Sequence, residues 1–188
     1  MAKIFGNLHL VLALGLVLAI AIIVGVDPAA TASSVTRWLH TFFGILWIGL
    51  LYYFNFVQIP TMPKIPADLK PGVSKHIAPV ALFFFRWGAA LTVLTGLIVA
   101  HLGGYLHQAM SFQGEGGVLL IGIGMWLAVI MAFNVWFIIW PNQKRALGIV
   151  EADDASKAKS ATTAMITSRI NTLLSIPMLY CMVSANLG

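Results

Sequence analysis

Apolar and polar positions along this chain segregate on the scale of helices. Five long apolar segments stand out, at about Leu8 to Val26, Thr36 to Pro60, Ala78 to Gly103, Gly117 to Trp140 and Ala164 to Ala185. Each approaches the roughly 20 residues that a helix needs to cross a hydrocarbon layer about 30 Å thick. Asp27-Pro28 ends the first segment, and Pro141 stops the fourth. Pro60, Pro63, Pro66 and Pro71 place a loop after the second, and Asn142 to Thr163 form another before the fifth. Ala30-Thr31-Ala32 resembles a signal cleavage site, but the run before it is longer than a usual signal core, so a retained helix is expected. The pattern predicts an all-α integral membrane bundle of five transmembrane helices. It forms a single membrane domain over residues 1–188, with helix one (about 8–26) added to a four-helix core (about 36–186).

Polar residues inside the segments fall on defined faces. His40, Gly44, Trp47, Leu51 and Asn55 recur at steps of four, three, four and four, and so share one helical stripe. Imidazoles inside membranes usually face a bundle interior, a cofactor or a water-filled pocket. Arg86, Ala90, Val93, Leu97 and His101 repeat the same steps in the third segment. Small residues recur every four positions at Gly88, Thr92, Gly96 and Ala100, and again at Gly124, Ala128 and Ala132. Such stripes let helix backbones approach closely in lipid and are read here as packing.

Composition and charge sharpen this picture. Hydrophobic residues make up 60% and charged residues only 9%, where a soluble domain carries about 25% charged. The net charge of +5 is no mark of a nucleic-acid binder, because the positives sit in short loops between apolar segments. Lys3 and the Lys and Arg of the second and fourth loops fall on one side, and Arg37 alone falls on the other. The positive-inside rule then places the N-terminus in the cytoplasm and the C-terminus outside, which in a bacterium means the periplasm. Cys181 is the only cysteine, which rules out an internal disulfide and a Cys-x-x-Cys-His attachment of c-type haem.

Antiparallel threading brings His40 and His101 to the same outer level. That suits two axial ligands of a haem iron, with Gly44 leaving room for a flat macrocycle, Trp47 beside it, and Arg37 near a propionate. Asn55, Arg86, Asn134, Arg169 and Asn171 gather at the inner level, from four segments that hold no Asp or Glu. An anionic partner such as a propionate or a lipid head group would relieve those buried cations. Plainer readings stand beside these. A transmembrane histidine can serve as a helix–helix hydrogen-bonding group, His101 can sit at the interface, and Arg86 and Arg169 can snorkel to head groups.

The motifs Arg37-Trp-Leu-His40, Trp47-Ile-Gly-Leu-Leu-Tyr-Tyr-Phe-Asn-Phe-Val-Gln58, Asn134-Val-Trp-Phe-Ile-Ile-Trp-Pro-Asn-Gln-Lys144 and Ser168-Arg-Ile-Asn-Thr-Leu-Leu-Ser-Ile-Pro-Met178 resemble the membrane domain of PuuD-type, cytochrome-linked urate oxidases. More distantly, the layout is similar to HemJ-type protoporphyrinogen oxidases, which are thought to bind b-type haem. The lysine those carry in the helix before the last has no counterpart before Lys144. The resemblance implies a bacterial inner-membrane redox protein with His40 at the first-motif histidine.

Two functions are therefore expected. One is an electron-transfer protein holding haem b between helices, with a cytochrome c or a larger membrane complex as partner and no residue assigned to catalysis. The other is an accessory or structural subunit of a larger complex, in contact with membrane lipid.

Overall fold

The computed structural model describes residues 2–27 and 30–185. Among them every regular element is helical. They fall into two units, one up to Val35 and one from Thr36 onward. Pro28 and residue 186, the expected end of helix one and of the core, lie outside the described residues.

The first unit holds a short turn, Ala2–Phe5, and α1, Leu8–Val26. Asn7 caps α1 by accepting from the Leu10 N–H. No residue of α1 is buried and its apolar residues cover every face, the pattern of a helix meant for hydrocarbon.

Most of α2 (Ala32–Tyr52) belongs to the second unit, and α3 spans Ala78–Leu102. A short α4, Leu106–Met110, precedes α5, Gly116–Phe133. After them come α6, Trp140–Ala146, and the 31-residue α7, Asp154–Ser184. α7 begins ten residues before the expected apolar run, because Asp153 caps it, accepting from both the N–H and the hydroxyl of Ser156. Those bonds hold the exposed Asp153 carboxyl below the usual carboxylate range.

The expected stops at Pro60 and Pro141 are not stops. A π-helical turn, Tyr53–Gln58, carries the second segment through Pro60 to Lys64, and another, Asn134–Ile139, joins α5 to α6 through Pro141. A third, Val73–Ile77, leads into α3 ahead of Pro79. Each wide turn closes on the residue just before a proline, with Ile59, Trp140 and Ala78 donating to Phe54, Val135 and Val73. Proline has no N–H, and its ring collides with the carbonyl four residues back. Shifting the register to five residues moves that carbonyl aside and lets the rod continue.

Among the described residues, four helical rods are long and apolar enough to cross a membrane: Leu8–Val26, Ala32–Lys64, Lys70–Leu102 and Gly116–Ala146. α7 has the length, about 46 Å at 1.5 Å per residue, but is less apolar. Its inward face is polar, with Ser160, Thr167, Ser168, Asn171 and Ser175 all buried.

α7 packs mainly along α5 and α6. The contact is close at Gly124, where an added Cβ would lie 2.8 Å from Cys181 Cβ. The central core comprises Trp47, Leu51 and Phe54, Leu82, Phe85 and Ala89, and Ala128, Met131 and Val135. Hydrogen bonds cross-link it. Asn134 donates to the Asn171 side-chain oxygen at 2.8 Å, and Asn171 donates to the Met131 carbonyl at 2.9 Å. Asn55 donates to Ser168 at 2.8 Å, Tyr52 bonds Ser175 at 3.0 Å, and Trp136 donates to the Arg86 carbonyl at 3.1 Å.

Replacing Asn171 by Leu strands the Asn134 amide in the core. It should lower stability by about 1–3 kcal/mol, the cost of an unsatisfied buried donor, while Arg169→Gln on the exposed face stays within about 0.5 kcal/mol. Unfolding titrations in mixed micelles read both, and equal losses would show that the amide pair holds nothing together.

Candidate functional site

A cavity of about 550 Å³ lies between α2, α3, α5 and α7, with part of the α3–α4 turn. Its walls are apolar apart from Arg37, His40, Thr41, Thr92 and Tyr105, and Trp47 lies at their edge, fully buried.

His40 is seated on α3. Its Nδ1 lies 2.9 Å from the Thr92 carbonyl oxygen and 3.3 Å from the Thr95 hydroxyl. The Thr95 hydroxyl donates to the Leu91 carbonyl at 2.6 Å, so toward His40 it can only accept. Both neighbours of Nδ1 are acceptors, so the network assigns the proton to Nδ1 and leaves Nε2 with its lone pair. Gly96 makes room for the ring: a Cβ there would stand 2.9 Å from His40 Cε1. At Gly44 an added Cβ would meet only the Thr92 methyl, at 3.9 Å.

Trp47 is fully buried, and its indole N–H has no acceptor among the described residues. Gly88 lets the α3 backbone lie directly against it, with Trp47 backbone and Cβ atoms 3.4 Å from a notional Cβ. At the other end of the cavity Arg37 and Tyr105 are neighbours. Burial pushes the Tyr105 phenol up from its ordinary value, and the Arg37 cation offsets part of that.

Of the residues expected at a cofactor, Arg37, His40, Gly44 and Trp47 line this cavity together. His101 does not; it is exposed at the end of α3. At about 100° per residue it lies roughly 180° around the helix from Thr92, whose carbonyl holds His40. It also lies five residues, about 7.5 Å of rise, past Gly96, which packs on the His40 ring, so the two imidazoles share neither azimuth nor level.

The inner group does not form one pocket. Asn134 and Asn171 bond each other, and Asn55 bonds Ser168. Arg86 lies apart, with its guanidinium carbon 3.3 Å from the centroid of the Trp140 ring and 5.9 Å from that of Trp136. This is a cation–π seat, and its Nε and Nη1 make no hydrogen bond. Arg169 is exposed. Among the described residues no group of His, Cys, Asp and Glu could hold a metal ion by itself.

Thr92, Thr95, Gly96 and Tyr105 are site residues that the sequence reading did not assign. The signal was present for two of them, since Thr92 and Gly96 belong to the stripe read as packing.

The fold and this cavity define a class: helical membrane proteins with an internal, mostly apolar site that presents one oriented imidazole. The urate oxidase N-terminal family model matches residues 86–188, more than half of the chain, and the chain belongs to that family. The matched part contains α3 to α7 apart from the first residues of α3, and hence the seat of His40, while His40 itself lies before it. No curated protein and no solved structure matches the chain, so the likeness to HemJ-type proteins finds no support there.

Gly96→Ala should push the imidazole off its seat, while Gly44→Ala should leave it in place. Ring-nitrogen NMR of histidine-labelled protein reads this directly. Wild type and Gly44→Ala should show a protonated Nδ1 and a bare Nε2 at His40, and Gly96→Ala should show exchange between tautomers. An unchanged spectrum in Gly96→Ala would mean that the glycine does not set the ring.

Proposed function

We propose that the chain is the membrane-embedded part of a redox system of the urate oxidase family, and that the cavity beside His40 holds a planar redox-active molecule. It crosses a bacterial inner membrane five times, with the N-terminus in the cytoplasm, and exchanges electrons with a cytochrome c or a larger membrane complex. The distribution of Lys and Arg supports that orientation, and the length of α7 supports the fifth crossing. One observation carries the reading. An imidazole inside an apolar cavity is fixed by a bond from Nδ1 to a backbone carbonyl, which leaves the other nitrogen as a lone-pair donor. A histidine that only stapled two helices would not need a cavity beside it.

Haem b is one such molecule. His40 would hold its iron through Nε2, since metal-binding imidazoles commonly give their second N–H to a carbonyl. Arg37 would meet a propionate, and the macrocycle would supply one-electron chemistry. His101 is not at hand as a second ligand, because it lies outside the cavity lining.

The test is the content of protein purified from its own membrane: a visible spectrum before and after dithionite, then solvent extraction and mass spectrometry for haem, quinone and flavin. One such molecule should be found at near-stoichiometric level in wild type, and about tenfold less in His40→Ala. A wild-type protein that carries none of them, and takes up neither hemin nor a short-chain quinol, would end this reading.

A further inference from the structure

Away from the cavity, two cations share one indole. The Arg86 carbonyl on α3 accepts from the Trp136 N–H at 3.1 Å, which sets these two residues at one level. The Arg86 side chain leaves that level. Its guanidinium carbon lies 3.3 Å from the centroid of the Trp140 ring and 5.9 Å from that of Trp136. Trp140 follows Trp136 by one turn, about 6 Å, so the side chain reaches toward the end of the bundle that carries the lysines and arginines. Lys144 stands a further turn on, with its ammonium 5.7 Å from the same Trp140 centroid.

Neither cation has an anion. Among the described residues the one ion pair is Lys157–Asp154, and it involves neither of them. Arg86 Nε and Nη1 are sealed off and bond nothing. Nη2 is the nitrogen left to reach a partner, together with the Lys144 ammonium, and both residues are only half-buried. An indole face attracts each cation but neutralises neither, and two like charges on one ring repel each other.

An apolar track leads away from this pair. Phe83 and Trp87 on α3 are exposed, and Trp87 packs edge-on against Trp136 with ring centroids 5.5 Å apart. Leu94 and Ile98 continue the same exposed face of α3 toward its far end. From Trp87 to Ile98 the helix rises about 16 Å, close to half of a hydrocarbon layer about 30 Å thick. Two cations at the basic end, with apolar surface above them, fit an amphiphile with an anionic head. A phosphodiester has two free oxygens, one for each cation, and guanidinium groups pair well with phosphate. A choline head would bring a third cation to the same place. We propose that Arg86, Lys144 and Trp140 form a binding site for the phosphate of an anionic phospholipid, whose acyl chain lies along the exposed face of α3. The site shares no residue with the cavity and does not rest on the cavity's reading.

The probe is phosphatidylglycerol, with phosphatidylcholine of the same chains as control, added to the full chain in detergent and counted by native mass spectrometry. Wild type should retain phosphatidylglycerol several-fold better. Arg86→Gln and Lys144→Gln should each weaken that retention several-fold to about tenfold. Lys159→Gln, which removes the same charge from the same end, should keep it. In case Arg86→Gln misfolds, phosphatidylglycerol with a diazirine in its acyl chain gives a second measurement on wild type. It should label the peptides that contain Trp87 or Trp136. Equal retention of the two lipids, full retention in either variant, an equal loss in Lys159→Gln, or a label confined to other helices would overturn the proposal. Displacement of the lipid by inorganic phosphate would mark a site for free phosphate, and the lipid assignment would fall.

Discussion

Hydrocarbon offers a polar group nothing to bond to, so polar groups inside the bundle are driven to pair with one another. That constraint explains which residues of the second unit meet. Asn134, Asn171 and the Met131 carbonyl close one set of bonds, and Asn55 and Ser168 close another. α7 supplies a partner in both, which is why a helix carrying so many buried hydroxyls and amides can belong to this bundle. Its low apolarity is the complement of what α2 and α5 present to it.

The same constraint accounts for the wide turns. A proline inside a membrane rod removes a donor and displaces a carbonyl, and lipid cannot make good either loss. Widening the register on the residue before the proline confines the defect to one turn. Two of the three turns also carry the amides of the core: Asn55 lies in Tyr53–Gln58, and Asn134 begins Asn134–Ile139. A π turn swings its side chains away from the positions that an unbroken α-helix would give them. The amide bonds across the bundle and the prolines are therefore parts of one local solution, and a change at Pro60 or Pro141 would be felt at Ser168 or Asn171.

Much of the helical layout was legible because apolar runs of membrane length have few other uses. What was misjudged follows from which signal each reading relied on. Pro60 and Pro141 read as stops, since nothing in a one-dimensional pattern announces a π register. The start of α7 was written in Asp153 and Ser156, but apolarity rises only at Ala164 and the loop was drawn to that point. His40 was found from its face, whereas its seat was not, because a backbone carbonyl acceptor has no residue signature. Gly96 was visible and was assigned to packing. It does let a neighbour in close, but that neighbour is an imidazole and not a helix backbone. His101 shows the limit of reasoning from antiparallel threading alone: it lies past the level of the His40 ring and around the far side of α3.

The cavity itself follows from how the small residues are distributed. Gly124 brings α7 onto α5, and Gly88 brings α3 onto Trp47. Nearer the His40 end of α2, Gly44 and Gly49 have only loose neighbours or none, and the imidazole stands between α2 and α3 as a spacer. The cavity lies along this stretch of α2, beside the seated imidazole. A bundle selected only for packing would close this gap with larger side chains, since each void forfeits dispersion contacts. Here Gly44 and Gly49 leave the gap unfilled, and a histidine is fixed beside it. An open gap costs dispersion contacts in the empty protein, and a ligand that fills it and bonds the free imidazole nitrogen would recover them.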